Sequence, residues 1–290
     1  MIQTKPYEFM VKYTPQREWI EGHGVLIAFA MFFGGISGGL YLASLVFDSM
    51  LGMFIAWILA MVAGMTDMAH LSKPLRFWRM LLRLKTSWIS RGFALIWLFL
   101  GFAVVQLALS YWAPGTAETV FKVFAGILAF GVAIYSGFVV SFVGGIKLWN
   151  SAIIPILFVV AGLTGGLAVL LIAASDSAYL GMAIYNVVLI ALVGYAVFIA
   201  IYLWATTYES KAARDSVTRI LKGNVAPMFW LGVVLLGIVL PILLILPYSL
   251  SDSTSTVAFY IAAAGAILGG VALRYVILKA GVYSPLVPTE

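Results

Sequence analysis

The chain has 290 residues, of which 63% are hydrophobic and only 10% are charged, and its mean hydropathy is +1.09. This composition excludes a soluble globular domain. The absence of cysteine excludes a disulfide, a thiolate-bound zinc site and a cysteine-ligated iron–sulfur cluster in this chain. The net charge is +6, but most of the charged residues lie in the segments between apolar runs. The positive charge therefore does not indicate a nucleic-acid partner. The N-terminal residues 1–23 are too polar and too long for a cleaved signal peptide.

Eight apolar runs follow that are each long enough to cross the hydrocarbon core of a bilayer. We place them at 24–46, 51–70, 93–112, 120–142, 152–174, 179–205, 228–249 and 256–278. Each run must be helical, because lipid offers no hydrogen-bond partner to free backbone groups. The segments 71–92 and 206–227 are polar and are predicted to be the longer loops. The sequence therefore predicts an all-α integral membrane protein with eight transmembrane helices.

The basic residues are distributed very unevenly across the predicted membrane. We call the side that carries the N-terminus side A and the opposite side B. Sixteen of the seventeen Lys and Arg residues fall on side A, and Lys122 alone falls on side B. By the positive-inside rule, this split predicts a cell-membrane protein with both termini in the cytoplasm.

A glycine-rich pattern occurs twice. "GISGGL" at 35–40 lies in the first predicted span, and "GLTGGL" at 162–167 lies in the fifth. Two tandem four-helix bundles would produce this repeat, although glycine patches also recur by chance in membrane helices. On the duplication reading, a segment 1–23 precedes a first bundle at 24–142, a loop at 143–151 leads to a second bundle at 152–278, and a tail follows at 279–290.

Four charged or ionisable groups lie within the predicted spans: Asp67, His70, Lys122 and Arg274. Lys122 and Arg274 are near helix ends, so we expect their side chains to reach water by snorkelling. Asp67 and His70 are three residues apart and share one helix face. Such a pair can move a proton, because a carboxylate can fix the tautomer of a histidine. The alternative is that His70 merely ends the helix among lipid headgroups.

Several motifs resemble, in order, those of the NrfD/polysulfide-reductase membrane-subunit family. They are the glycine patch of the first span, "HLSKPLRFWRML" at 70–81 with "TSWISRG" at 86–92, "YSGFVVS" at 135–141, "LWNSAIIPILFVVAGLTGG" at 148–166, "FWLGVVLLGIVLPILL" at 229–244 and "LRYVILKAG" at 273–281. The resemblance implies an eight-helix subunit with a quinone or quinol site in the first bundle. It also implies a partner with four iron–sulfur clusters, which is commonly joined to a molybdopterin-type catalytic subunit.

The resemblance assigns residues to this site. The histidine of the loop motif, which affects quinol binding in related subunits, is His70 here, and the tyrosine placed beside the quinone headgroup is Tyr135. Further candidates are His23 at the side-A mouth of the first span and Asn150 in the motif at 148–166. The chain departs from many relatives in its sixth span, which has no acidic residue and whose most polar residue is Asn186. A transmembrane proton path is therefore not carried over to this chain from the family resemblance.

Quinone chemistry explains why these residue types fit. Each ring oxygen needs a hydrogen-bond donor that can also move a proton, and His70, Tyr135 and Asp67 can share this task. The resemblance implies that the quinone is menaquinone or ubiquinone, and no metal or haem is expected on this chain. Two alternatives remain: an anchor holding one haem b between His23 and His70, and a repeat-built secondary transporter.

Overall fold

The computed structural model describes residues 12–71, 74–173, 178–250 and 256–285, and these residues are almost entirely helical. The α-helices are α1 (Val25–Val46), α2 (Met50–His70), α3 (Trp88–Trp112), α4 (Thr116–Ser141), α5 (Ile153–Ala173), α6 (Ala178–Glu209), α7 (Lys211–Lys222), α8 (Leu240–Leu250) and α9 (Thr256–Ala280). A π-helical stretch, Met228–Val239, leads directly into α8. Short 3₁₀ helices occupy Gly22–Gly24 and Pro74–Arg83, and two-residue strands β1 (Thr14–Pro15) and β2 (Val282–Tyr283) form an antiparallel pair.

Eight helical segments of the described chain are long and apolar enough to span a membrane. They are Gly22–Val46, Met50–His70, Trp88–Trp112, Thr116–Ser141, Ile153–Ala173, Ile184–Glu209, Met228–Pro247 and Val257–Ala280. This result confirms the predicted all-α membrane fold with eight spans.

The third span begins at Trp88 rather than at the predicted residue 93. Ser87 caps this helix, and its hydroxyl accepts a hydrogen bond from the Ser90 amide at 3.3 Å. The guanidinium of Arg91 lies 4.5 Å from the centroid of the Trp88 ring and donates to the carbonyls of Leu84 and Lys85. A charged residue therefore fits in the first turn of the span, because backbone carbonyls and a ring face satisfy it.

The segment 206–227, predicted to be a polar loop, contains the amphipathic helix α7. Ser210 caps α7 by accepting a hydrogen bond from the Ala213 amide at 3.2 Å. The buried face carries Ala212, Ala213, Ser216, Val217 and Ile220, which recur at helical spacing. Its basic residues Lys211, Arg214, Arg219 and Lys222 belong to side A.

The two glycine patches lie against each other, one on α1 and one on α5. A Cβ on Gly39 would overlap the Gly162 carbonyl, and a Cβ on Gly166 would overlap the backbone of Leu40. On its other flanks α1 packs against α2, α4 and α9. The segments that resemble each other in sequence thus meet at the centre of the helix assembly, while their grouping into two tandem bundles stays a prediction.

The described segments that precede α1 and follow α9 pair with each other on side A. Strand β1 pairs with β2, and the Gln16 amide donates to the Gly281 carbonyl at 3.0 Å. The Gln16 side chain donates to the Leu278 carbonyl at 2.8 Å, and the Trp19 ring packs 5.2 Å from that of Trp149. The N-terminal segment is thereby attached to the end of α9 and to the loop that precedes α5.

Arg274 does not snorkel, contrary to our expectation. Only 1% of the residue is exposed, and its guanidinium donates to the carbonyls of Gly270 at 3.0 Å and Phe158 at 3.5 Å. The expectation was wrong because neighbouring helices enclose this part of α9. A Cβ at Gly35 would lie 2.7 Å from Nη2 of Arg274, so the glycine provides the necessary space. Lys122, near the start of α4, is partly exposed and pairs with Asp48 at 3.1 Å.

We predict that Gly39→Ala lowers the free energy of unfolding by about 1–3 kcal/mol, because the added methyl group separates α1 from α5. Thermal unfolding in detergent measures the change. Gly101→Ala in α3 is the matched control, because a Cβ there meets no atom within 4 Å. Equal stability of both variants would show that the contact between α1 and α5 is loosely packed.

Candidate functional site

A cavity of about 510 Å³ opens at the side-A end of α1, α2, α3 and α4. Its lining combines apolar side chains with a few polar groups: Glu18, Trp19, Ile27, Met31, Asp67, Met68, His70, Leu71, Met80, Ile89, Phe93, Tyr135 and Val139. The N-terminal segment contributes one wall, and the 3₁₀ helix Pro74–Arg83 contributes Met80. The volume and the sparse polar groups are typical of small-molecule sites.

Tyr135 and Asp67 form the polar end of this cavity. The Tyr135 hydroxyl donates a hydrogen bond to Oδ2 of Asp67 over 3.3 Å, which joins α4 to α2. The Tyr135 ring is buried, and it packs closely against Gly92 of α3, where any Cβ would overlap the ring. Gly34 of α1 faces the hydroxyl from another direction, and a Cβ there would lie 3.7 Å from it. Two glycines therefore hold the tyrosine between α1 and α3.

His70 is oriented by the backbone of the N-terminal segment. Its Nδ1 lies 3.1 Å from the carbonyl oxygen of His23. A carbonyl accepts but cannot donate, so this contact favours the tautomer with a proton on Nδ1. Nε2 is then free to accept a proton. His70 ends α2, one turn after Asp67, so both side chains line the same cavity, as their spacing predicts.

The other two predicted site residues lie elsewhere. The His23 side chain is exposed and is not part of the cavity lining, although its carbonyl contacts His70. Asn150 lines a separate groove of about 470 Å³ between α4 and α5, and its side chain donates to the Ser141 carbonyl at 2.8 Å. The structure thus brings together Asp67, His70 and Tyr135, while Asn150 is placed outside their cavity.

Sequence reasoning missed several residues of the site. Glu18 and Trp19 reach the cavity because the pairing of β1 with β2 fixes the N-terminal segment. No local sequence pattern in this segment predicts the contact. Gly92 ends the "TSWISRG" motif, and its role as the floor beneath the Tyr135 ring is visible only in three dimensions. The described residues contain no group of three or more His, Cys, Asp or Glu side chains that could hold a metal ion.

Comparison with known proteins identifies the family. A family model described as "Polysulphide reductase, NrfD" matches residues 21–285. A subunit of the polysulfide reductase of Wolinella succinogenes is 27% identical, and the alignment covers 88% of this chain and 92% of that protein. Protein NrfD of Escherichia coli is 28% identical over 73% of this chain and 76% of its own length. The family that the motifs indicated is thereby confirmed, and the chain belongs to the NrfD family of redox-complex membrane subunits.

Proposed function

We propose that this subunit binds a quinone or quinol in the side-A cavity and exchanges its electrons with an iron–sulfur partner. The observation that carries the proposal is the convergence of Asp67, Tyr135 and His70 on one apolar cavity next to the bilayer. An apolar lining suits the ring and the isoprenoid tail of menaquinone or ubiquinone, and the polar groups suit the two ring oxygens.

The three side chains can divide the proton transfers between two ring oxygens. His70, with its Nδ1 proton held by the His23 carbonyl, can accept a proton at Nε2 from one hydroxyl of a quinol. At the other end Tyr135 donates to Asp67, so its own oxygen remains able to accept a hydrogen bond. A proton can then pass through the Tyr135 hydroxyl to the Asp67 carboxylate. In the direction of quinone reduction the same groups donate.

Electrons need an acceptor outside this chain, because the sequence offers no cysteine for an iron–sulfur cluster. The family resemblance implies that this acceptor is a protein with four iron–sulfur clusters, which in turn is joined to a molybdopterin-type catalytic subunit. The side-A face supports docking, because α7 and the 3₁₀ helix Pro74–Arg83 both carry arginines there. A basic face attracts an acidic partner surface and raises the rate of association.

The haem alternative is less consistent with the geometry. A haem iron between His23 and His70 would need both imidazole rings as ligands. In the structure His23 contacts His70 through its backbone carbonyl, and the His23 side chain is exposed. A reduced-minus-oxidised absorption spectrum of the purified subunit separates the two functions, because a haem b gives sharp bands and a quinone does not.

We predict that His70→Ala lowers quinol-linked turnover of the assembled complex at least about a hundredfold, because the proton acceptor at one ring oxygen is lost. Activity of the partner with a soluble redox dye should be unchanged. His23→Ala is the matched control, because it removes an exposed ring but keeps the carbonyl that contacts His70. Normal quinol turnover in His70→Ala would contradict the assignment.

We predict that Tyr135→Phe lowers quinol-linked turnover by about tenfold, because it removes one hydrogen-bonding hydroxyl and keeps the packed ring. Tyr41→Phe makes the same chemical change at another buried tyrosine, whose hydroxyl donates to Gln106 instead of lining the cavity. That control should leave quinone affinity unaltered. If Tyr135→Phe changed neither rate nor quinone affinity, the tyrosine would serve packing alone.

We predict that a green fluorescent protein fused after Glu290 is fluorescent and that alkaline phosphatase fused there is inactive, because the basic side-A segments remain in the cytoplasm. Fusions after Pro114, between α3 and α4, should give the opposite pair of results. Phosphatase activity at the C-terminus would place the cavity and the partner on the outer face.

A further inference from the structure

Arg274 carries a buried charge that the proposed chemistry does not use. Its guanidinium contacts two backbone carbonyls and lies 5.7 Å from the Phe32 ring centroid and 5.3 Å from that of Phe158. Among the described residues it forms no salt bridge, and its Nε has no hydrogen-bond partner. Its positive charge is therefore not cancelled by a carboxylate within this part of the chain. A fixed charge in such surroundings acts over long distances, because there is little water to screen it.

The cavity and Arg274 lie against different sides of α1, and the two residues of α1 that face them, Gly34 and Gly35, are consecutive. Gly34 faces the Tyr135 hydroxyl at 3.7 Å, and Gly35 faces Nη2 of Arg274 at 2.7 Å, both measured from the Cβ that each glycine lacks. Adding these distances to ordinary backbone lengths places Nη2 at most about 13 Å from the Tyr135 hydroxyl. The intervening space holds tightly packed helix, because Gly35 and Gly39 both face Gly162 of α5.

The other charged or titratable groups that line the cavity are few. Asp67 and His70 come from α2, Tyr135 from α4 and Glu18 from the N-terminal segment, whereas α1 and α3 contribute apolar side chains. The carboxylates of Asp67 and Glu18 disfavour an additional negative charge in the cavity. Among the cations of the described spans, Arg91 lies in the first turn of α3 against the Trp88 ring and Lys122 lies near side B, whereas Arg274 is buried and comes from the second half of the chain.

We propose that Arg274 adds a positive contribution to the electrostatic potential in the cavity, so that it raises the affinity for a quinone-type ligand with a negatively charged ring oxygen and leaves the affinity for the neutral ligand unchanged. This inference rests on the proposed quinone site and adds to it a dependence of binding on the charge of the ligand. Arg274 acts at a distance through its charge, because it does not line the cavity and does not contact Asp67, His70 or Tyr135. With an effective dielectric constant of about 20, a unit charge at about 13 Å changes the affinity for an anion roughly tenfold.

Two probes with the same ring system test this dependence on charge with the full-length chain in lipid nanodiscs. One is a lipophilic 2-hydroxy-1,4-naphthoquinone, used at a pH at which it is an anion, and the other is its neutral 2-methoxy counterpart. Quenching of tryptophan fluorescence reports binding, because Trp19 lines the cavity. We expect Arg274→Gln to weaken binding of the anion roughly tenfold and to leave the neutral probe unchanged, while Arg274→Lys should retain most of the affinity for the anion.

Lys122→Gln is the matched control, because it also removes one cation from a span. Lys122 lies near side B and is paired with Asp48 and Glu118, so its loss should alter neither affinity. If Arg274→Gln does not fold, Arg274→Met replaces it, since an apolar side chain needs no partner when buried. Equal losses for both probes, or no loss for either, would overturn the inference. Failure of the unmodified protein to bind both probes would contradict the quinone site itself.

Discussion

The structure depends on how closely α1 approaches its neighbours. Successive glycines of this one helix face different partners: Gly34 faces Tyr135, Gly35 faces Arg274, Gly38 lies against α4 and Gly39 against α5. In lipid, helices gain little from burying apolar surface, so close packing and polar contacts must hold them together. Glycine permits both, because it allows backbones to meet and leaves room for a large polar group beside the helix. The position of the cavity and of the buried cation thus follows from one glycine-rich segment.

The burial of the Arg274 side chain costs free energy, because a charged group is moved away from water. Insertion scales assign a cost of about 2.5–3.5 kcal/mol to a charged side chain at the centre of a membrane helix. Arg274 is nearer the end of α9 but incurs part of this cost, because neighbouring helices separate it from water. Two carbonyl contacts and two aromatic faces offset part of this cost. A leucine would fill a similar space without any such penalty. The chain keeps a cation here, and electrostatic control of a neighbouring site is a function that an apolar residue could not provide.

The sequence predicted the membrane helices well because runs of apolar residues report directly on lipid exposure. It also indicated the pair Asp67 and His70, since three-residue spacing is enough to place both on one helix face. Tyr135 lies 68 positions from Asp67, and no periodicity links residues at that distance, so the family resemblance was needed to propose it. Depth and burial were harder to predict. Arg274 is near the end of its helix in sequence, and only the surrounding helices decide that it does not reach water.

The polar side chains at the two ends of the first four helices differ in what they face. Near side B, Tyr41 donates to Gln106, Gln106 donates to Ser110, and Ser110 donates to Glu118, which pairs with Lys122. Such a closed network stabilises the helix ends and leaves few groups available to a ligand. At side A, the Tyr135 hydroxyl donates to Oδ2 of Asp67 and Nδ1 of His70 contacts the His23 carbonyl, and the side chains of Asp67, His70 and Tyr135 line the open cavity. Polar groups beside an apolar cavity are available to a bound ligand, and this difference between the two ends supports the proposal of a ligand site at side A.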